Sequence, residues 1–156
     1  MGRKGAHLLI IQTKYLGETE ISTDKIVTFE NGLPGFEEES EFILLDISKD
    51  LVFQILQSVK SPQLAFFVVN PYYFYDTYEF KLNDFTIESL DIKDAKEVLV
   101  LSVMTLKEPF NDSTINLKAP LIINLENRRG KQYILEEATY SMRAEIPAQK
   151  IESETE

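Results

Sequence analysis

The sequence predicts an all-β fold, a compact antiparallel β-barrel-like single domain with one or two short helices. Three observations carry this expectation. Short apolar runs rich in Val, Ile, Phe and Tyr recur along the chain, and several alternate apolar with polar residues, as half-buried strands do. Turn-forming residues fall between the runs, at Gly32-Leu33-Pro34-Gly35, Ser61-Pro62, Asn70-Pro71, Pro109 and Arg129-Gly130. Many short strands at regular spacing fit an antiparallel sandwich or barrel, and 156 residues without a linker or repeat fit one domain.

Taken in order, LLIIQTKY (8–15) opens the strands, and IVTF (26–29), FILLD (42–46), VFQILQS (52–58) and LAFFVV (64–69) follow. The second half adds YEFKL (78–82), VLVLSVMTL (98–106), APLIINL (119–125) and KQYIL (131–135). Within YEFKL, Tyr78 and Phe80 alternate with Glu79, so they share one face and belong to the core. NDFTIESLDI (83–92) breaks the alternation. Phe85, Ile87, Leu90 and Ile92, behind a capping Asn83 or Asp84, predict a short helix, and DAKEV (94–98) a further turn. ENRRG, between two strand-like runs, reads as a hairpin with Gly130 in the left-handed region. Its Arg128 and Arg129 form a small basic tip, a solvated turn sooner than a binding site. The domain is drawn over 8–143. Residues 1–7, which hold the sole histidine, His7, read as a vector-derived or disordered leader. Residues 144–156 read as an acidic flexible tail, frayed beyond Pro147.

Composition narrows the function. The chain has no cysteine, which removes disulfides, thiolate metal sites and cysteine nucleophiles, and one histidine in a patternless segment leaves no Ser-His-Asp triad. No cofactor or metal is expected. No apolar run nears the roughly 18 residues that span a bilayer, and no secretion signal opens the chain, so the expected location is the cytoplasm. With 26 acidic against 16 basic residues the net charge is -10. That sign disfavours DNA, RNA and anionic membranes, whose phosphates need cations, and favours a basic protein partner. Solubility alone also accounts for an acidic chain.

Two stretches stand out as candidate sites. In NGLPGFEEESEF (31–42), Gly32 and Gly35 can take positive φ and Pro34 fixes its own, so the loop is shaped, with Phe36 tucked back as an anchor. Glu37, Glu38, Glu39 and Glu41 follow, either as a solvated acidic turn or as an acidic lip for a basic partner. In PYYFYDTYEF (71–80), Tyr72, Tyr73, Phe74 and Tyr75 are consecutive and cannot all point inward. They fill core in part or present an interface. Asp76 and Glu79 beside the rings argue against stacking on nucleic-acid bases. Neither a phosphate-binding glycine fingerprint nor a singled-out carboxylate pair is present.

FENGLPGFE (29–37), LQS (56–58), LAF (64–66), NP (70–71), YEF (78–80), TLKEPF (105–110), NLKAPLIIN (116–124) and GKQ (130–132) occur in this order. Together they resemble the FliW family of flagellar assembly factors, over about residues 9–135. The resemblance implies a bacterial, cytoplasmic, non-enzymatic protein with a compact β-barrel-like fold. It also implies two protein partners: flagellin, bound before export, and CsrA, a small basic RNA-binding dimer that represses flagellin translation. Release from flagellin would free the protein to bind CsrA and restore translation. The resemblance supplies no residue-level map, so the site residues rest on the physics above. Glu37, Glu38 and Glu39 are the electrostatic contacts, and Tyr72, Tyr73 and Tyr75, with Asp76, the aromatic ones. Gly32, Pro34, Gly35 and Phe36 support the loop. The free protein is expected to be a monomer. The rival reading is a carboxylate-based carbohydrate-active enzyme on a β-barrel.

Overall fold

The computed structural model describes residues 7–47, 49, 52–136 and 139–147. Two antiparallel strands, β1 (Leu8–Thr13) and β2 (Gly17–Ser22), form a separate ribbon. The remaining strands form one sheet: β3 (Val27–Phe29), β4 (Glu41–Asp46), β5 (Phe53–Ser58), β6 (Ala65–Val69), β7 (Val98–Thr105), β8 (Thr114–Ile115), β9 (Leu121–Asn124), β10 (Arg129–Gln132) and β11 (Ala144–Glu145). Seven of them close a ring in the order β3-β4-β5-β6-β7-β9-β10. The ring closes because β7 pairs with β6 through its second half and with β9 through its first, and because β10 pairs with β3 in parallel. Closure leaves no open edge within the ring.

Alternation along the strands sets the layers. Phe29, Phe42, Leu56, Val68, Leu101, Leu121 and Ile123 point into the barrel, where Phe29 and Phe42 meet edge to face at 5.7 Å. Their neighbours point outward and are covered too. The ribbon lays Ile11 and Ile21 over Ile43, Leu45 and Ile55. A second outer layer, with Phe74, Tyr78, Leu117, Leu135 and Ile146, covers Val69, Met104 and Ile115. Burial on both faces explains why stretches such as Leu121–Asn124 are buried at every position.

Two short helices interrupt the strands. α1 (Pro71–Phe74) starts where the Asn70 side chain accepts from the Tyr72 N–H at 2.9 Å and Pro71 fills the first turn. α2 (Asp84–Ser89) is capped as the sequence suggests, by Asn83 accepting from the Thr86 N–H at 2.8 Å, and it ends at Leu90 and Asp91, the latter with φ 52°. A 3-10 turn, Ala95–Glu97, follows under an Asp94 cap.

Several expectations change. Residues 78–82, read as a strand from the sequence, belong to no strand. Two remote tyrosines stand in for a neighbouring strand: the Tyr140 hydroxyl donates to the Glu79 carbonyl and accepts from its N–H, and the Tyr133 hydroxyl does the same for Lys81 O and Asn83 N. In the 124–129 turn, Arg128 rather than Gly130 takes the positive φ, 61°. Gly130 lies inside β10, where a Cβ would stand 2.7 Å from the Phe29 ring; its lack of a side chain lets β10 close on β3. Strands β2, β8 and β11 correspond to none of the apolar runs. Residues 144–147, drawn as tail, carry β11 and the buried Ile146. His7, drawn as leader, exchanges bonds with Thr23, while residues 1–6 and 148–156 lie outside the described residues.

Candidate functional site

β5 organises both stretches singled out in the sequence. Its Ser58 end carries the 31–40 loop. The Leu33–Phe36 turn is closed by the Phe36 N–H on the Leu33 carbonyl at 2.7 Å, with Gly32 at φ 67° and Gly35 at φ 86°. Gly32 is the tighter position, since a Cβ there would meet Glu37 Cα and Phe36 O at 2.6 Å; at Gly35 it would meet open space. The anchor is Leu33, buried in the barrel core. Phe36 is a correction: it stays largely exposed and leans edge-on against Phe66 at 5.8 Å, because Leu33 occupies the inward position. Pro34 is exposed at the tip.

The three glutamates separate. Glu39 turns inward and accepts from Ser61 Oγ and Ser58 Oγ, each at 2.7 Å, so it clasps the loop to β5. These hydrogen bonds, Ser61 first and Ser58 second, with nearby Lys60 adding a smaller pull, hold its carboxyl below the ordinary value against a small opposing effect of burial. Glu37 accepts from the Gly35 N–H at 3.1 Å and remains exposed, as does Glu38. The acidic surface of the loop is therefore Glu37 and Glu38.

The Phe53 end of β5 carries the aromatic stretch. Phe53 meets Phe74 at 6.0 Å, and Tyr78 sits at the centre of a ring cluster with Tyr72, Phe80 and Tyr140 at 5.5, 5.4 and 4.8 Å. The buried Tyr78 hydroxyl donates to the Leu117 carbonyl at 2.7 Å. Tyr73 is half-buried, edge-on to Phe74, and the Tyr75 hydroxyl donates to the Glu145 carbonyl of β11. Tyr72 alone among these tyrosines is well exposed, at 39%, with Asp76 exposed in the turn beyond it. Burial raises the Tyr72 and Tyr75 hydroxyls above their ordinary value, helped at Tyr72 by Tyr140 and at Tyr75 by Glu145. The glutamates and the tyrosines thus do not come together. β5 separates them by its six residues, roughly 17 Å.

Tyr72 also lines an open groove of about 700 Å³, together with Phe80, Ile87, Ile92, Lys93, Asp94 and Val98. No short-range pattern marks it, because α2, the 92–95 turn, β7 and β9 meet only in the fold. Asp94 is the one acid among its described lining residues, so the groove offers no carboxylate pair for glycoside hydrolysis. A smaller apolar hollow of about 370 Å³ lies between Ile47, Phe53, Phe67, Met104, Leu106 and Phe110. Among the described residues no cluster of His, Asp or Glu is arranged to hold a metal, and no helix is long and apolar enough to cross a membrane.

The fold and its surface define a small closed barrel with a shaped acidic loop at one end of β5 and an aromatic cluster at the other. Known proteins share this architecture. A family model described as FliW protein matches residues 10–146. A flagellar assembly factor FliW from Oceanobacillus iheyensis is 50% identical over 136 residues, 87% of this chain and 92% of the relative. One from Bacillus subtilis (strain 168) is 45% identical over 138 residues, 88% of this chain and 96% of the relative. A solved crystal structure of the flagellar assembly factor FliW superposes with a TM-score of 0.84 at 42% identity, covering 90% of this chain and 99% of that one. The chain belongs to the FliW family.

Proposed function

We propose that this protein is a cytoplasmic, non-catalytic flagellar assembly factor that binds flagellin before export and, once flagellin is depleted, binds CsrA and relieves its repression of flagellin translation. The observation that carries this reading is the 50% identity, over 87% of the chain, to a relative named as a flagellar assembly factor. The net charge of -10 supports a basic protein partner over nucleic acid. Glu37 and Glu38, exposed on a backbone held by Gly32 and the Glu39 clasp, suit the basic partner, and the exposed Tyr72 suits an apolar contact.

The test is direct. Purified protein is titrated with purified CsrA and with purified flagellin, and a CsrA–RNA complex is then challenged with it. The reading expects binding to both and release of RNA. Absence of binding to either partner overturns it. If Glu37 and Glu38 face the RNA path, the double Gln variant releases less RNA than wild type when both saturate CsrA, because carboxylates within the Debye length of roughly 8 Å weaken phosphate binding. Equal release at saturation removes the loop from that role.

A further inference from the structure

We propose that the outer edge of β1 is a strand-addition site for an extended segment of another protein in which apolar and basic residues alternate. The inference rests on the ribbon and does not depend on the partners named above.

The seven ring strands have no free edge, and β11 is two residues long. The ribbon is different: each of its strands pairs only with the other, so each keeps an unpaired edge among the described residues. The two edges are unlike. β2, GETEIS, carries exposed Glu18 and Glu20, and charge is how natural edges resist pairing. β1, LLIIQT, has no charge and no proline across six residues.

Both faces of β1 call for a neighbour. On the outer face Leu8 and Ile10 are 69% and 59% exposed. On the inner face Leu9 shares its side with the buried Ile11 and lies across from Ile21, itself 5% exposed, yet Leu9 is 39% exposed. The first half of β1 therefore overhangs the barrel, and an added strand would cover Leu9 from the side. Inward residues of that strand should be apolar, packing beside Leu9 and Ile11. Outward residues would stand beside Leu8, Ile10 and Gln12. Across β1 from these lie Ser22, Glu20 and Glu18, two strand spacings away, roughly 10 Å, which long basic side chains bridge. Period-two apolar and basic residues thus match the period-two surface. A second copy of this chain would bring the same uncharged edge with a single lysine, Lys14, just past its end, against the alternating cations of a basic strand, and it would add another net charge of -10.

The probes are an eight-residue alternating Val/Lys peptide, its Val/Glu counterpart, and the Val/Lys peptide N-methylated on alternate residues. Binding is read by fluorescence anisotropy and by amide hydrogen exchange. The Val/Lys peptide is expected to slow exchange along Leu8–Thr13 and to bind at least about tenfold better than the Val/Glu peptide. N-methylation on the pairing edge abolishes binding. Ile10→Lys, at an exposed position, leaves the melting temperature unchanged and loses binding at least about tenfold, and Glu20→Gln weakens it roughly two- to fivefold. Equal binding of the two charge forms, retained binding after N-methylation, unaffected binding by the Ile10→Lys variant, or protection confined to residues outside β1 overturns the proposal. Protection of β1 that grows with protein concentration in the absence of peptide also overturns it, and assigns the edge to a second copy instead.

Discussion

At the Ser58 end of β5 the chain is held by directional polar contacts: two serine hydroxyls on one carboxylate, and a turn that needs two left-handed glycines. At the Phe53 end it is held by ring volume, with Tyr78 in contact with three other rings and one hydroxyl bond to a carbonyl. Both ends carry a stretch that the sequence marks as a candidate surface, yet they fail differently. The polar end depends on backbone geometry and on a charge, the aromatic end on filled space. The former leaves its exposed glutamates in a fixed shape; the latter spends most of its rings on packing and presents chiefly Tyr72.

The largest expected effect tests the aromatic end. Tyr78→Ala should cost about 3–5 kcal/mol, the range for emptying a large aromatic from a core, read as a shift in the urea midpoint. Tyr78→Phe should cost about 1–3 kcal/mol, because the Leu117 carbonyl loses its donor while the ring stays. If the two variants were equal, the hydroxyl and not the volume would hold this end.

The glycines test the polar end. Gly32→Ala adds a backbone clash at 2.6 Å to a left-handed φ, and should cost about 2–3 kcal/mol. Gly35→Ala carries the φ strain without the clash and should cost about 1–2 kcal/mol. Equal losses by thermal denaturation would mean that the clash relaxes and only φ matters.

The smallest effects separate the ends by pH. The folded Glu39 carboxyl lies below its ordinary value of 4.5, so its contribution is full above that value and is lost as pH falls through the depressed one. The stability difference between wild type and Glu39→Gln should be present at pH 7 and vanish on acidification. Tyr72 and Tyr75 lie above their ordinary value of 10.0, so their contribution is full below it and is lost as pH rises through the raised values. Tyr75→Phe should therefore lose less stability than wild type between neutral and strongly alkaline pH. Parallel pH curves for these variants and wild type would erase the distinction.

What could be read in the sequence is what short-range pattern decides. The apolar runs mark most ring strands, the Asn83 cap marks α2, and the glycines mark the loop. β2 leaves almost no trace in the sequence because GETEIS buries only Ile21. α1 had its signal, an Asn cap followed by Pro, but the run of rings outweighed it. The rest depended on distant partners. Tyr133 and Tyr140, 50 and 61 residues away, turn 78–83 from a strand into a braced strap. Ser58 and Ser61, 19 and 22 residues from Glu39, remove one of three adjacent glutamates from the surface. The Phe29 ring makes a strand residue of Gly130, leaving the left-handed turn to Arg128.

The parallel seam between β3 and β10 sets Thr28 beside Arg129, about a hundred residues further along the chain. At roughly 5–20 residues per second, a ribosome needs about 5–20 s to make the stretch between them. Throughout that interval β3 has been translated and its closing neighbour has not, so the barrel cannot exist however fast the early hairpins form. Nascent chains halted before residue 129 carry strands with an open flank, and they gain a barrel's surface only once β10 has been made.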